Sequence, residues 1–208
     1  MPNGSTKENV NLLLDLIRAS NVKRYHTFPI IGEQTVGHHS HRVALLLIYL
    51  TNGKLSCNLI KAALFHDLAE IHTGDIPATT KWAHPNIADL LKRIENTYEL
   101  EHEISVILTE KEKKLLKTAD MCELMLFAEE QHMLGNKNAR ELWCRGYNYL
   151  VQLGTYDSIK EIINERDMAK LQNEQAMAMA QAGFQSQEKI AAIELEGINA
   201  QTYAQERE

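Results

Sequence analysis

Ala63-Leu64-Phe65-His66-Asp67-Leu68-Ala69-Glu70-Ile71-His72-Thr73-Gly74-Asp75-Ile76-Pro77 holds the least ordinary chemistry of the chain. Good helix formers from Ile60 to Phe65 lead into the adjacent His66 and Asp67, and Glu70 follows one turn later. On a continuous helix, 66 to 70 is an i,i+4 step and 67 to 70 an i,i+3 step, so the three side chains share one side. Gly74 and Pro77 must end that helix. An imidazole and two carboxylates among Leu, Ala, Phe and Ile describe a polar site set into an apolar core. Isolated buried charge is costly, and a bound cation is one of the few things that offsets the cost.

Helical patterning continues on both sides. Val10, Leu13, Leu14 and Ile17 predict an apolar stripe on a first helix that starts at a Ser5-x-x-Glu8 capping box and runs to Ala19. Residues 21–37 carry Pro29, Gly32 and Gly37 and read as a loop, with Lys23, Arg24, Tyr25 and His26 clustered in it. Val43, Leu46, Leu47 and Leu50 mark a second helix from Val36, with His38, His39 and His41 crowding its first turn. The third starts near Ser56 and is expected to run through Glu70. Ile76 to His84 reads as a linker. A fourth helix starts at Pro85 and continues towards Ile107. Thr109-x-x-Glu112 is a capping box for a long fifth helix with Leu115, Leu116, Ala119, Leu124 and Phe127 on its core face. Asp120 falls on that face, four residues from both Leu116 and Leu124. A sixth helix spans Ala139 to Leu153, stopped by Gly154. No convincing alternating strand appears, so the fold class is all-α.

The chain has 208 residues, enough for one domain with a real core. Net charge is −6 and there is no Lys/Arg run, which disfavours a reader of nucleic-acid polymers. Cys57, Cys122 and Cys144 form no CxxC pair, and each sits in an apolar helical context. Buried thiols in a reducing compartment are the expectation. No apolar run reaches the roughly 18 residues of a membrane span, and no signal-peptide core is evident at the N-terminus. The reading is a cytoplasmic protein with no membrane partner. From about residue 166 the composition turns to Ala, Gln, Glu and Met, so residues 1–165 are read as the domain and 166–208 as a helical or loosely ordered tail.

His39, His66, Asp67 and Asp120 each lie on, or at the start of, an apolar helical stripe. Two imidazoles and two carboxylates suit a divalent transition ion with open water positions. Taken singly, a His on an apolar face is more often a satisfied core residue and a mid-helix Asp more often solvated. Their conjunction is harder to dismiss.

The order His … His-Asp … Asp on successive helices resembles the HD-domain metal-dependent phosphohydrolases. Lys23-Arg24-Tyr25, Gln34-Thr-Val-x-His-His39-Ser40, His66-Asp67-x-x-Glu70-x-x-Thr-Gly-Asp75-Ile-Pro77 and Lys117-Thr-Ala-Asp120 resemble, block by block, the bacterial 5′-deoxynucleotidases. They also resemble phage deoxynucleoside triphosphohydrolases, dATP-specific enzymes among them. The resemblance covers roughly Asn9 to Leu153 and implies a single HD-domain helical bundle. It implies that His39, His66, Asp67 and Asp120 ligate one ion, Co²⁺, Mn²⁺, Zn²⁺ or Mg²⁺. Glu70 and Asp75 are then water-orienting groups or ligands of a second ion. It further implies that Arg24 contacts phosphate, that Tyr25 stacks near base or sugar, and that the chain is a homo-oligomer. His39 and Asp75 would also border the substrate. The family's acidic residue before the first ligand is here His38, its Trp after Arg is Tyr25, and a common Thr after the Asp-x-Pro turn is Ala78.

Lys81 and Lys117 are further cations for a phosphoryl group. Trp82 and Trp143 are assigned to packing, and an oligomer interface is expected around Trp143 and Tyr149. The expected function is therefore phosphohydrolysis of a deoxynucleotide, either dNMP to deoxynucleoside plus phosphate or dNTP to deoxynucleoside plus triphosphate. A non-catalytic nucleotide- and metal-binding regulatory module is the alternative. Retention of Glu70 and Asp75 argues against it, since a pure binder needs no water-activating carboxylate.

Overall fold

The computed structural model describes residues 6–102 and 104–166, apart from the side chains of residues 6–9, 78, 79 and 82. The helices are α1 (Thr6–Ala19), α2 (Val36–Leu50), α3 (Cys57–Phe65), α4 (Glu70–Thr73), α5 (Ala78–Ala83), α6 (Pro85–Glu101), α7 (Glu110–Met133) and α8 (Ala139–Leu153), with a 3₁₀ turn at Tyr156–Ser158. Among the described residues there is no strand, only an isolated antiparallel bridge between Lys23 and Thr35. The fold is all-α, as the apolar periodicity implies. A first compact unit ends at Ile159 and a second begins at Lys160. The expected tail and the Ser5 cap lie outside the described residues.

α7 is the central element. The Thr109 side chain accepts from the Glu112 backbone N–H while Glu112 accepts from the Thr109 backbone, which completes the expected capping box. Against its middle lie α2 and α3: Val43, Ala44, Leu47, Leu59, Ala63 and Ala119 form one buried cluster. α8 packs along its second half, where Gly146 lets the helices meet; a Cβ there would stand 2.6 Å from Met125 Cγ. Phe127, Ala128, Ala139 and Leu142 bury a second cluster. Ala19, Leu68, Ala69 and Tyr98 form a third, beneath α1.

Several expectations need correction. The stripe Val10, Leu13, Leu14 and Ile17 does not face the core; these residues are about half exposed, and Leu16 and Ala19 point inward instead. The third helix does not run through Glu70. It ends at Phe65, and 66–69 form tighter turns in which Leu68 N–H donates to Phe65 O and Glu70 N–H to Asp67 O. The Ile76–His84 linker contains α5, and α6 stops at Glu101, short of Ile107. Cys57 and Cys144 are exposed, and only Cys122 is buried.

Loop 21–35 is pinned at both ends. Arg24 N–H donates to Gln34 O, and Val36 N–H to Val22 O, each at 2.9 Å. Gly37 passes so close to Ser20 that a Cβ would sit 2.8 Å from the Ser20 Cβ. The Arg24–Tyr25 corner is thereby held over the start of α2.

Candidate active site

α2 presents three histidines, and only one faces inward: His39 is fully buried while His38 and His41 are exposed. Thr35 caps α2 by accepting from His38 N–H, which sets the helix phase. His66 is the C-cap of α3, so the break after Phe65 places His66 and Asp67 at a helix end rather than along a flank. Asp120 comes from the middle of α7.

The side chains gather at His39. His39 Nε2 lies 3.2 Å from His66 Nε2, 3.3 Å from Asp120 Oδ1 and 3.6 Å from Asp67 Oδ2. His66 Nε2 lies 3.5 Å from the same Asp67 oxygen. His39, His66 and Asp67 each offer a ligand atom within 4.8 Å of the others. Asp120 joins through His39, and its other oxygen accepts from Lys117 Nζ at 2.7 Å. Ligand atoms about 2.1 Å from an ion stand roughly 3.0–3.4 Å apart in octahedral or tetrahedral arrangement; the 3.2 and 3.3 Å spacings fall in that range, and the 3.5 and 3.6 Å ones to Asp67 lie just above it.

The ring orientations make the same point. His66 Nδ1 lies 2.9 Å from the Ala63 carbonyl and His39 Nδ1 lies 2.7 Å from Glu123 Oε2. Both partners are acceptors, so each Nδ1 carries the proton. The two Nε2 atoms then face each other and two carboxylates, a contact that needs a cation between them or a proton on one ring. Burial and the Arg24 charge oppose a proton on His39, but hydrogen bonds to Asp120 and Glu123 outweigh them and raise it to about 9. The residues present therefore fit a divalent ion.

Asp67 and Asp120 open onto a cavity of about 300 Å³, lined also by Arg24, Tyr25, Glu70, Asp75, Lys81 and Lys117. Arg24 Nη1 donates to Asp67 Oδ2 at 2.5 Å, while its buried Nε has no partner. Burial would raise Asp67, but His66, Arg24 and His39 hold it down to about 2. Asp120 lies well below the usual range: against the cost of burial, the His39 hydrogen bond and the Lys117 charge prevail. Glu70 goes the other way. Burial, then the Asp67 and Asp75 charges, raise it to about 9, and its Oε2 is buried without a partner.

Asp75 has a visible structural task. Its Oδ2 accepts from Tyr25 N–H at 3.0 Å, across the cavity mouth. Tyr25 has φ +59°, a left-handed conformation uncommon outside glycine, and the Asp75 contact helps hold it there. The Tyr25 ring stacks on Phe127, with centroids 4.8 Å apart and planes within 5°, and its buried hydroxyl has no partner. Tyr25 is thus part of the core as well as the cavity wall. Ala78 opens α5, whose last turn carries Lys81 to the cavity. Trp143 packs on Tyr147 as expected, with centroids 5.5 Å apart.

Two residues escaped the sequence reading. Glu123 is fully buried against His39, Gln34 and Arg42. Its position three residues after Asp120 was the available signal. Arg145 reaches the cavity from α8, with no signal beyond its placement on that helix.

The sequence profile of the 5′-deoxynucleotidase YfbR-like family matches residues 11–156. The chain belongs to that family. A 5′-deoxynucleotidase of Yersinia pestis (strain Pestoides F) is 30% identical to it over 139 residues, 55% of this chain and 71% of the relative. Among solved structures, an HD-domain phosphohydrolase from Listeria innocua superposes with a TM-score of 0.61 at 18% identity, covering 76% of this chain and 86% of that one. The cyanophage S-2L HD phosphohydrolase DatZ, bound to dA and one catalytic Zn²⁺, gives a TM-score of 0.57 at 23% identity, covering 82% of this chain and 99% of that one. These likenesses establish the HD-domain fold of the YfbR-like chain. No helix among the described residues is long and apolar enough to cross a membrane.

Proposed function

We propose that the protein is a divalent-metal-dependent phosphohydrolase that cleaves the 5′-phosphoester of a deoxynucleoside monophosphate. The observation that carries this is one cavity in which Asp67 and Asp120, each within 3.6 Å of the buried His39 Nε2, meet Arg24, Lys81 and Lys117, with the unpartnered Glu70 Oε2 beside them. His39, His66, Asp67 and Asp120 would hold the ion, and their mixed N/O character suits Mn²⁺, Co²⁺ or Zn²⁺ better than Mg²⁺. When bound, the ion supplies charge that polarises a phosphoryl oxygen and acidifies a neighbouring water.

The chain's own residues do the rest. The free Nε of Arg24 and the ammonium groups of Lys81 and Lys117 face charge that grows on the equatorial phosphoryl oxygens. Glu70 accepts a proton from the attacking water, and the Tyr25 hydroxyl is the polar group available to the sugar. Asp75 keeps the Arg24–Tyr25 corner in place and, with Glu70, is the candidate set for a second ion. Contribution of a general base runs to roughly 10²–10⁴-fold, so Glu70→Ala should retain the ion and lose turnover in that range. Near-normal turnover with the ion retained would remove Glu70 from the mechanism.

A second reading, release of triphosphate from a dNTP such as dATP, is favoured by Arg145, which adds a fourth cation to the same cavity. Measuring phosphate against tripolyphosphate release from a dNMP and dNTP panel, with Mn²⁺ or Co²⁺, separates the two. Release from none of them would favour the non-catalytic binding module. We also propose a homo-oligomer: Val10, Leu13, Leu14 and Ile17 form an exposed apolar face on α1 that suits an interface better than Trp143 does. A single-chain mass by light scattering at micromolar concentration would rule that out.

A further inference from the structure

We propose that Glu123 is the positioning residue for His39, holding the imidazole as its Nδ1–H tautomer so that Nε2 is presented to the ion. The inference rests on the metal reading of the site and deepens it. Glu123 does not line the cavity; it acts through His39.

The argument starts from burial. Glu123 is 0% exposed on α7, beside the fully buried Ala119 and Cys122. A carboxylate in such a place is expensive unless its oxygens are engaged. Here both are. Oε2 takes the His39 Nδ1 proton at 2.7 Å. Oε1 accepts from Gln34 Nε2 at 2.8 Å and is ion-paired with Arg42, whose Nε lies 3.2 Å away. Gln34 is itself 2% exposed, and Arg42 is anchored at its far end by two bonds to Glu130, at 2.8 and 3.1 Å. Two donors and one cation from α2 and the loop before it therefore orient one carboxylate from α7. A ligating imidazole commonly donates its other N–H to a carboxylate or carbonyl, which sets tautomer and ring angle and raises basicity. His66 uses the Ala63 carbonyl for this purpose, and His39 uses Glu123.

Glu123→Gln is the informative substitution, because it is nearly isosteric. Its single carbonyl oxygen is best placed towards the Gln34 donor and the Arg42 cation. Its NH₂ then turns to His39, where Nδ1 must become an acceptor. The ring proton moves to Nε2 and cancels the lone pair that an ion needs. Loss of such a partner typically costs 10–100-fold in metal affinity.

The test uses the full chain and Zn²⁺ as probe. Affinity is measured by chelator competition on wild type, Asp67→Ala and Glu123→Gln. The tautomer is read from the ¹⁵N signals of the labelled histidines in the Zn²⁺-loaded proteins. The expected result is tight binding in wild type with a proton on His39 Nδ1, binding lost in Asp67→Ala, and binding weakened about 10–100-fold in Glu123→Gln with that signal changed. Wild-type affinity and an unchanged His39 signal in Glu123→Gln, with Asp67→Ala still defective, overturn the role of Glu123 alone. Equal binding by wild type and Asp67→Ala overturns the metal site itself. If Glu123→Gln fails to fold, Gln34→Met removes one donor while leaving His39 and Glu123 in place. A smaller loss of Zn²⁺ affinity there supports the inference, and unchanged affinity overturns it.

Discussion

Ion binding at this site should release protons, and the number can be worked out beforehand. His39 and Glu70 are both raised to about 9 in the ion-free protein. Ordinary values are about 6.5 for His and about 4.3 for Glu, so both groups are protonated at neutral pH where Glu70 would normally be ionised. An ion can use His39 Nε2 only after that proton leaves. A dication beside Glu70 would drive off its proton too. Each released proton makes affinity rise about tenfold per pH unit, or about 1.4 kcal/mol. Between pH 6 and 8 wild-type affinity for Mn²⁺ should therefore climb by about 10⁴ if both protons leave, and by about 10² if only His39 gives one up. Glu70→Gln keeps the shape and removes one titrating group, so its slope should drop from about two to about one. Calorimetric titration at pH 7 in two buffers of different protonation enthalpy counts the protons directly. An affinity independent of pH over this range would refute the reasoning.

The same shifts fix the sign of stability against pH. Both folded values are raised, so their stabilising contribution is complete below the unfolded values and is lost as pH rises through about 9. The ion-free melting temperature should thus fall from pH 6.5 to 9, while bound ion should reverse or flatten the trend; a rise in the ion-free protein would contradict the assignment. Asp67→Ala should lose tight metal by elemental analysis, whereas His38→Ala and His41→Ala, both at exposed positions, should keep it. A defect in His38→Ala equal to that in Asp67→Ala would mean that the wrong histidine has been chosen. Leu47→Ala, at a site with 0% exposure, should cost about 2.7–5.0 kcal/mol in chemical denaturation. A cost below about 1 kcal/mol would show that Leu47 is not in the closed core.

The inward facing of His39, His66, Asp67 and Asp120 was legible because each interrupts an apolar stripe, and helical periodicity turns such an interruption into a statement about facing. His39 could be preferred over its neighbours from phase and the following Ser40, and the structure buries that ring. What periodicity could not foresee were departures from regular geometry. Nothing in Phe65-His66-Asp67 forbids a continuous helix; the turn after Phe65 is imposed by packing of Leu68 and Ala69 against Ala19 and Tyr98. α1 misled because it carries two apolar faces, and Leu16 with Ala19 won the core. α5 was missed because Pro77 looked like a breaker, whereas it serves as the N-cap of a short helix. Cys144 is exposed because its helix turns Leu142, Gly146 and Leu150 inward. Glu123 escaped because a glutamate on a long helix is usually solvated, and only the tertiary placement of Gln34, His39 and Arg42 changes that.

One helix connects these observations. α7 directs Lys117, Asp120, Met121 and Leu124 into the cavity and Ala119 into the hydrophobic cluster beneath. Glu123 goes to His39, and Phe127 to the Tyr25 ring. A proposed ligand, its neighbouring cation, the proposed support of the opposite ligand and the platform for the Tyr25 ring thus share one rigid rod. α2 contributes His39 above the same Val43–Leu47 packing that buries Ala119. Sliding α2 along α7 by one turn, about 5.4 Å, would part His39 from Glu123 and from Asp120 together. The site and the core are therefore a single packing problem. Substitutions that loosen the α2–α7 contact without touching the cavity should weaken ion binding before they unfold the protein, because the ligand geometry tolerates displacement less than apolar packing does.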